Sequence, residues 1–305
     1  MSSLMTNASA MTALQTLNST NKSMSEVQSR ISTGYRVNGA EDNAAYWSIA
    51  TTMRSDNMAL SAVEDALGLG AATIDVMYTS MESTVDVMNE IKAKVVAASS
   101  EGVDRAKIQS DISELQNQLQ TIGDSSVFNG ENWLSSDVTA VTTAEIVSSF
   151  TRAGGAVDIQ TTSVDLTAIQ LYDTTGGGTG ILDQDRGFAA LAGITGDGMA
   201  DFDISALTDA DAASIDTLVA GIDAALEGIT DAATLLGSVK SRVDLQMDFV
   251  SELTDAIDRG VGQLVDADMN EESTRLQALQ VQQQLGIQAL SIANSNSQNI
   301  LSLFQ

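Results

Sequence analysis

IDTLVAGIDAALEGITDAATLLGSVKSRVDLQMDFVSELTDAIDRGVGQL, residues 215–264, decides the fold. Ile215, Leu218, Ile222, Ala225, Ile229, Ala232, Leu236, Val239, Val243, Gln246, Val250, Leu253, Ile257 and Leu264 recur at helical spacing. A strand would need a period of two, and none is present here. The run lasts about seven heptads, far beyond the mean globular helix, so it needs long partners of its own kind. One partner is legible upstream, where Leu67, Gly70, Ile74, Met77, Met81, Thr84, Met88, Ile91 and Val95 keep steps of three and four throughout. A shorter run follows at Ile108, Ile112, Leu115, Leu119 and Ile122, after a break at Glu101-Gly102. Phe128-Asn129-Gly130 reads as a hairpin-type turn.

The chain ends are helical too. Over residues 10–31, Leu17, Met24 and Ile31 fall at one seam position of a heptad, and Leu14, Asn21 and Gln28 at the other. Polar residues in a seam weaken it but fix register. Gly34 terminates this helix, and GYRVNGAEDN, residues 34–43, forms a polar connector. A last helix follows the polar break DADMNEES, residues 266–273, through Leu276, Leu279, Leu285, Ile287, Leu290, Ile300, Leu301 and Phe304. Both terminal stripes exceed what a two-helix hairpin covers, which points to self-assembly. The expected polymerisation interface is therefore Leu14, Leu17, Asn21, Met24, Gln28, Ile31, Leu276, Leu279, Ile287, Leu290, Ile300, Leu301 and Phe304.

Between the helical arms the period changes. In residues 138–172, Val157, Ile159, Thr161 and Ser163 alternate with their neighbours, as do Val164, Leu166 and Ala168, which predicts two to four short strands. Residues 173–204 are rich in Gly and Asp and read as loop. The expected fold is mainly α: a long antiparallel bundle or coiled coil of N- and C-terminal arms with a small β-rich insert. The insert, 141–204, is expected to be acidic, outermost and removable without loss of assembly.

The 305 residues contain no Pro, Cys or His. Average usage would give roughly 15 prolines, and their absence suits long helices and fast folding after delivery in an unfolded state. Without Cys there are no disulfides, and without His the commonest general base and metal ligand is missing. Lys and Arg number 14 against 41 Asp and Glu, a net charge of -27, so no basic footprint for nucleic acid exists. No apolar stretch is long enough to span a membrane, and the first residues lack the basic region and cleavage site of a secretory signal. The charge is uneven. Residues 276–305 carry none on their side chains, whereas residues 141–216 hold twelve acids against Arg152 and Arg186. A polymer would place the neutral ends inward and the acidic middle outward.

Residues 30–50, RISTGYRVNGAEDNAAYWSIA, resemble the N-terminal signature of bacterial flagellins, carried here by Arg30, Ser32, Gly34, Arg36, Asn38, Asp42, Ala44 and Ala45. Phe128-Asn129-Gly130 is similar to the turn of that family, and Leu276, Leu279, Gln283, Gly286, Leu290, Ala293 and Asn294 resemble its closing helix. The resemblance covers about two thirds of the chain and leaves out 141–204. It implies a structural, non-enzymatic subunit of the flagellar filament, exported without a cleaved signal and needing no cofactor. Residues 1–40 with 270–305 would form the innermost layer, and 41–140 with 205–269 a helical layer with a β-hairpin. The insert would lie outside. Implied partners are further copies, sister flagellins, an export chaperone, the filament cap and hook-junction proteins.

Several receptor-facing positions depart from the family. Glu41 and Asn43 flank Asp42 where Lys and Asp are usual, and Tyr46-Trp47 stands for Gly-Leu, in the segment that the plant receptor reads. Glu90, Ala93, Lys94 and Ala97 depart from the patch that the vertebrate receptor reads. Such departures resemble flagellins of plant-associated alphaproteobacteria. Two other readings stand beside this one: a hook–filament junction subunit, and a secreted calcium-binding surface protein. The second rests on Asp183-x-Asp185, Asp201-x-Asp203 and Asp209-x-Asp211, none of which completes an EF-hand loop.

Overall fold

The computed structural model describes residues 7–137, 141–153, 156–175, 178–184, 186, 188–191, 193–196, 198–208 and 211–302; from 296 onward only the backbone is described. The described helices are α1 (Ala8–Thr33), α2 (Ala44–Ala98), α3 (Arg105–Ser125), α4 (Ala212–Val265) and α5 (Met269–Ser302). The chain divides into Met1–Met58 with Thr254–Gln305, and Ala59–Leu253. The long helices α2 and α4 contribute residues to both units.

The terminal unit is built on an antiparallel pairing of α1 with α5. The Asn7 side-chain amide donates to the Ala293 carbonyl at 2.9 Å, the Gln283 amide to Asn21 Oδ1 at 2.7 Å, and Arg30 meets Glu272 at 3.2 Å. On α1 the half-buried or buried positions are Ala10, Ala13, Leu17, Thr20, Ser23, Met24, Val27, Arg30 and Ile31. On α5 they are Glu272, Leu276, Leu279, Gln283, Gly286, Leu290 and Ala293. Leu17, Met24 and Ile31 therefore sit where the heptad count puts them. The other row is Ala13, Thr20 and Val27, and the expected Leu14, Asn21 and Gln28 are exposed, so the second seam position is corrected by one residue. Adjacent residues lie only about 100° apart on a helix, and the smaller row lets the two backbones approach. Below this pair, Val37, Ala50, Val261 and Val265 form a small core with Met53, Ile257 and Leu264 against it.

In the second unit the predicted seams coincide with the core. Leu67, Ile74, Met77, Met81, Met88, Ile91 and Val95 of α2 are buried, as are Ile215, Leu218, Ile222, Ile229, Leu236, Val243 and Val250 of α4. Ion pairs Lys92–Asp223 and Lys240–Asp75 flank this seam, and Lys94 Nζ reaches Asp111 on α3 at 2.7 Å. After α3 the chain turns at Asn129 (φ 50°) and Gly130 (φ 85°), with Phe128 and Glu131 exchanging both backbone hydrogen bonds. Two positive φ values in succession belong to the type I′ hairpin turn, as the sequence predicts.

Strands β1 (Ser135–Ser136) and β4 (Tyr172–Asp173) pair in parallel. Strands β2 (Thr143–Ala153) and β3 (Ala156–Asp165) form an antiparallel ribbon from Thr143↔Asp165 to Ala153↔Ala156, with an irregularity between Val147 and Ser149. The described residues of 178–208 are largely loop, yet Leu182, Phe188, Ile194, Met199, Phe202, Ile204 and Leu207 are buried. Glycines on the helices receive insert side chains. A Cβ on Gly70 of α2 would meet Ile146 at 2.5 Å, one on Gly123 of α3 would meet Tyr172 at 2.7 Å, and one on Gly221 of α4 would overlap the Phe188 ring. From α3, the buried Gln116 amide donates to the Met199 and Phe202 carbonyls at 3.3 and 3.1 Å, and Gln109 Oε1 accepts from Ile204 N at 3.0 Å. These contacts put the insert in one unit with the helices it covers. Its composition reads as loop because its few apolar residues are scattered, while their partners lie on helices distant in sequence.

Candidate assembly interface

The signature segment joins two connectors. Gly34 caps α1 in the left-handed region (φ 76°), its N–H donating to the Arg30 carbonyl at 2.8 Å. A side chain there would be strained, which explains the glycine. The turn lays the α1–α2 connector along the end of α4. Arg36 N donates to the Val265 carbonyl at 2.7 Å, Ala267 N to the Gly34 carbonyl at 2.9 Å, and Arg36 Nη2 to the Leu264 carbonyl at 3.1 Å. Arg36 thus places a cation on the carbonyl-rich C-terminus of α4, the favourable end for positive charge. Arg30 pairs with Glu272, which is 5% exposed and also lies 3.8 Å from Arg275.

Asp42 closes the connector on itself. Its Oδ2 accepts from Asn38 N at 2.9 Å and Gly39 N at 3.2 Å. Those two backbone bonds, with a smaller contribution from the Arg30 charge, hold its carboxyl below the usual aspartate value. Asn43 Oδ1 accepts from Ala45 N at 3.1 Å and Tyr46 N at 3.2 Å, so this departure keeps the capping function of the Asp it replaces. Ser32, Ala44 and Ala45 are exposed.

The sequence pattern alone does not reveal the other half of this junction. Glu272 and Asp268 lie in DADMNEES, which reads as a polar break of eight residues. The break is shorter than that. Helix α5 starts at Met269, with Asp268 Oδ1 accepting from Asn270 N at 2.8 Å and Glu271 N at 3.3 Å. An Asp cap followed by acids in the first turn is a helix-start signal, and the segment carries it.

The expected polymerisation residues fall into three sets. Leu17, Met24, Ile31, Leu276, Leu279 and Leu290 are half-buried between α1 and α5, so much of their surface is already covered within the chain. Leu14 is 49% exposed and Ile287 54%, and Asn21 and Gln28 are exposed. Met11, Val281, Leu285 and Ile292, which fall outside the expected interface set, are exposed on the same pair of helices. Ile300 and Leu301 lie on α5 with side chains outside the described residues, and Phe304 lies outside them altogether.

The receptor-facing departures line exposed surface. Glu41 is exposed in the connector, Tyr46 and Trp47 at the start of α2, and Glu90, Ala93 and Ala97 further along it. Lys94 is held by Asp111, whose hydrogen bond raises the Lys94 pKa. Of the aspartate pairs, Asp201 Oδ1 accepts from Gly198 N, Asp203 Oδ1 from Ser205 N and Asp211 Oδ2 from Thr208 N. Asp185 and Asp209 lie outside the described residues. Among the described residues no group of three carboxylates is placed to hold a metal ion, and no helix is long and apolar enough to cross a membrane.

Residues 4–139 match the bacterial flagellin N-terminal helical region, and residues 219–304 the bacterial flagellin C-terminal helical region. Along its whole length the chain is 49% identical to Flagellin C of Rhizobium meliloti (strain 1021) over 322 positions. It is 45% identical to Flagellin A of the same strain over 395 positions and 43% identical to a flagellin of Brucella melitensis biotype 1 over 307. In each case all of both chains is covered. The Arg30–Asp42 connector lies within the first matched region, and the α5 partner strip within the second.

Proposed function

Because the chain belongs to the bacterial flagellin family and is a structural subunit of the extracellular flagellar filament, we propose how it is built into that filament. Copies pack through the outward faces of the α1–α5 pair, with Met11 and Leu14 on α1 and Val281, Leu285, Ile287 and Ile292 on α5 at the contact. The half-buried residues between the helices shape that surface rather than touch the next copy. One observation carries this reading: the α1–α5 pair buries one stripe of each helix and leaves these apolar side chains in water. Apolar strips of this kind mark interaction sites.

Residues 1–40 with 270–305 form the inner layer, 41–140 with 205–269 the next, and 141–204 the outer one. The near-neutral termini favour this order, since only they can be crowded without repulsion. Export in an unfolded state fits the absence of proline. A chaperone for the apolar C-terminal helix, the cap and hook-junction proteins are the remaining partners, and sister flagellins share the lattice.

The test is assembly of Leu14→Asp and Ile287→Asp variants, followed by electron microscopy, beside Leu290→Asp, with parent filaments also imaged in chelator. Burying a leucine contributes roughly 1.5–3 kcal/mol. The two surface variants should keep parental helix content as monomers and fail to form filaments, whereas Leu290→Asp should also loosen the α1–α5 pair. Filaments of Leu14→Asp and Ile287→Asp at the parental critical concentration would remove this face from the lattice.

A further inference from the structure

One flank of α2 carries a second apolar site. Trp47, Arg54 and Met58 stand at i, i+7 and i+11, within about 40° of one another around the helix. The neighbouring face of the same helix is already used: Ala50 is buried and Met53 packs beside it against the Val261–Val265 core. The flank is not. Trp47 is 39% exposed and Met58 70%, and Tyr35 from the connector lies under Arg54, whose guanidinium carbon is 4.8 Å from the ring centroid.

We propose that Tyr35, Trp47, Arg54 and Met58 form an anchor site for a second copy of this chain. The inference rests on the filament reading but concerns a different surface from the α1–α5 strip. Residue chemistry is the first argument. Trp, Tyr, Arg and Met are the types enriched at interface cores, and Trp, Tyr and Arg supply most binding hot spots. Tyr46-Trp47 also stands where the resembled signature has Gly-Leu, so this position carries bulk that the signature lacks.

Charge selects the occupant. Of the net -27, the unit Ala59–Leu253 holds -23, with eight bases against thirty-one acids, and the terminal unit only -4. The site lies in the terminal unit, includes the Arg54 cation and includes no carboxylate. Two copies of an acidic chain can meet there with attraction, since one copy contributes the cation and apolar surface and the other has carboxylates to spare.

Tryptophan is its own probe, because the chain has only two and Trp133 is 6% exposed. Acrylamide quenching of the parent is compared in monomer and filament, with Trp47→Phe in each state to subtract the Trp133 signal. Trp47 should be freely quenched in the monomer and shielded in the filament. Trp47→Ala, at an exposed site, should keep monomer helicity and raise the critical concentration by about tenfold or more, as loss of a hot spot does. Filaments in which Trp47 stays as accessible as in the monomer would overturn the anchor while leaving the filament reading intact. So would a Trp47→Ala variant that assembles at the parental concentration. A Trp47 already shielded in the monomer would assign the site to a segment of its own chain and overturn the proposal as well. Failure of the parent to form filaments at all would remove both readings.

Discussion

Arg30 and Glu272 are 242 residues apart in sequence and 3.2 Å apart in space, and they tie the first helix to the last. Around them the signature residues act locally. Gly34 turns the chain, Arg36 caps α4 and Asp42 gathers the connector amides. Asp42 carries a testable consequence. Its folded pKa lies below the ordinary 3.8, so its bonds stabilise the connector above the unfolded value and are lost as pH falls through the folded one. The parent connector should therefore loosen in a window below about pH 4. Asp42→Asn should be weaker at neutral pH and lack that part of the acid transition. Hydrogen exchange at the amides of Asn38 and Gly39, followed from neutral pH down through that window, measures it; equal pH profiles in parent and variant would refute the role.

At the scale of elements, the long helices follow from periodicity and the insert from the seats those helices provide. Phe188 rests on Gly221, so Gly221→Ala should destabilise the unit Ala59–Leu253 by about 1–3 kcal/mol, the usual cost of overpacking a core. Phe188→Ala should also destabilise it, by roughly 3–5 kcal/mol through the cavity it leaves. Combined, the two should cost less than their sum, because the added methyl occupies part of the space the ring vacates. Urea denaturation of the four proteins gives this coupling, and strict additivity would mean that the ring and the glycine do not meet. The same seats predict that removing 145–200 uncovers the α4 surface around Gly221 and takes the Met199 carbonyl from the Gln116 amide.

For the molecule as a whole, electrostatics opposes assembly. A subunit with a net charge of -27 must approach identical copies, and only screening or local cations relieve that repulsion. With a Debye length of about 8 Å at physiological salt, exposed carboxylates on neighbouring subunits are largely screened, and at roughly tenfold lower salt they are not. The critical concentration should therefore fall steadily as NaCl rises. Calcium should act no more strongly than magnesium at equal concentration, because the effect is screening rather than a shaped site. A calcium effect beyond that of magnesium, seen in sedimentation of filaments, would revive a specific cation site in the acidic loops.

The helices, their approximate ends and the hairpin turn are legible in the chain alone. Each depends on neighbours within a few residues: the three-and-four spacing from Leu67 to Val95 and Ile215 to Val250, the absence of proline, and the Asn129-Gly130 pair. Membership of the family is legible there too, through the spaced residues from Arg30 to Ala45. Tertiary structure decided what no local pattern encodes. It covered Ala13, Thr20 and Val27 and left Leu14, Asn21 and Gln28 exposed, with Asn21 reaching α5 only through its hydrogen bond from Gln283. It paired Arg30 with Glu272, and it seated Ile146, Tyr172 and Phe188 over glycines on three different helices. Those contacts join residues far apart in the chain, where periodicity is silent and only the packed fold brings the partners together.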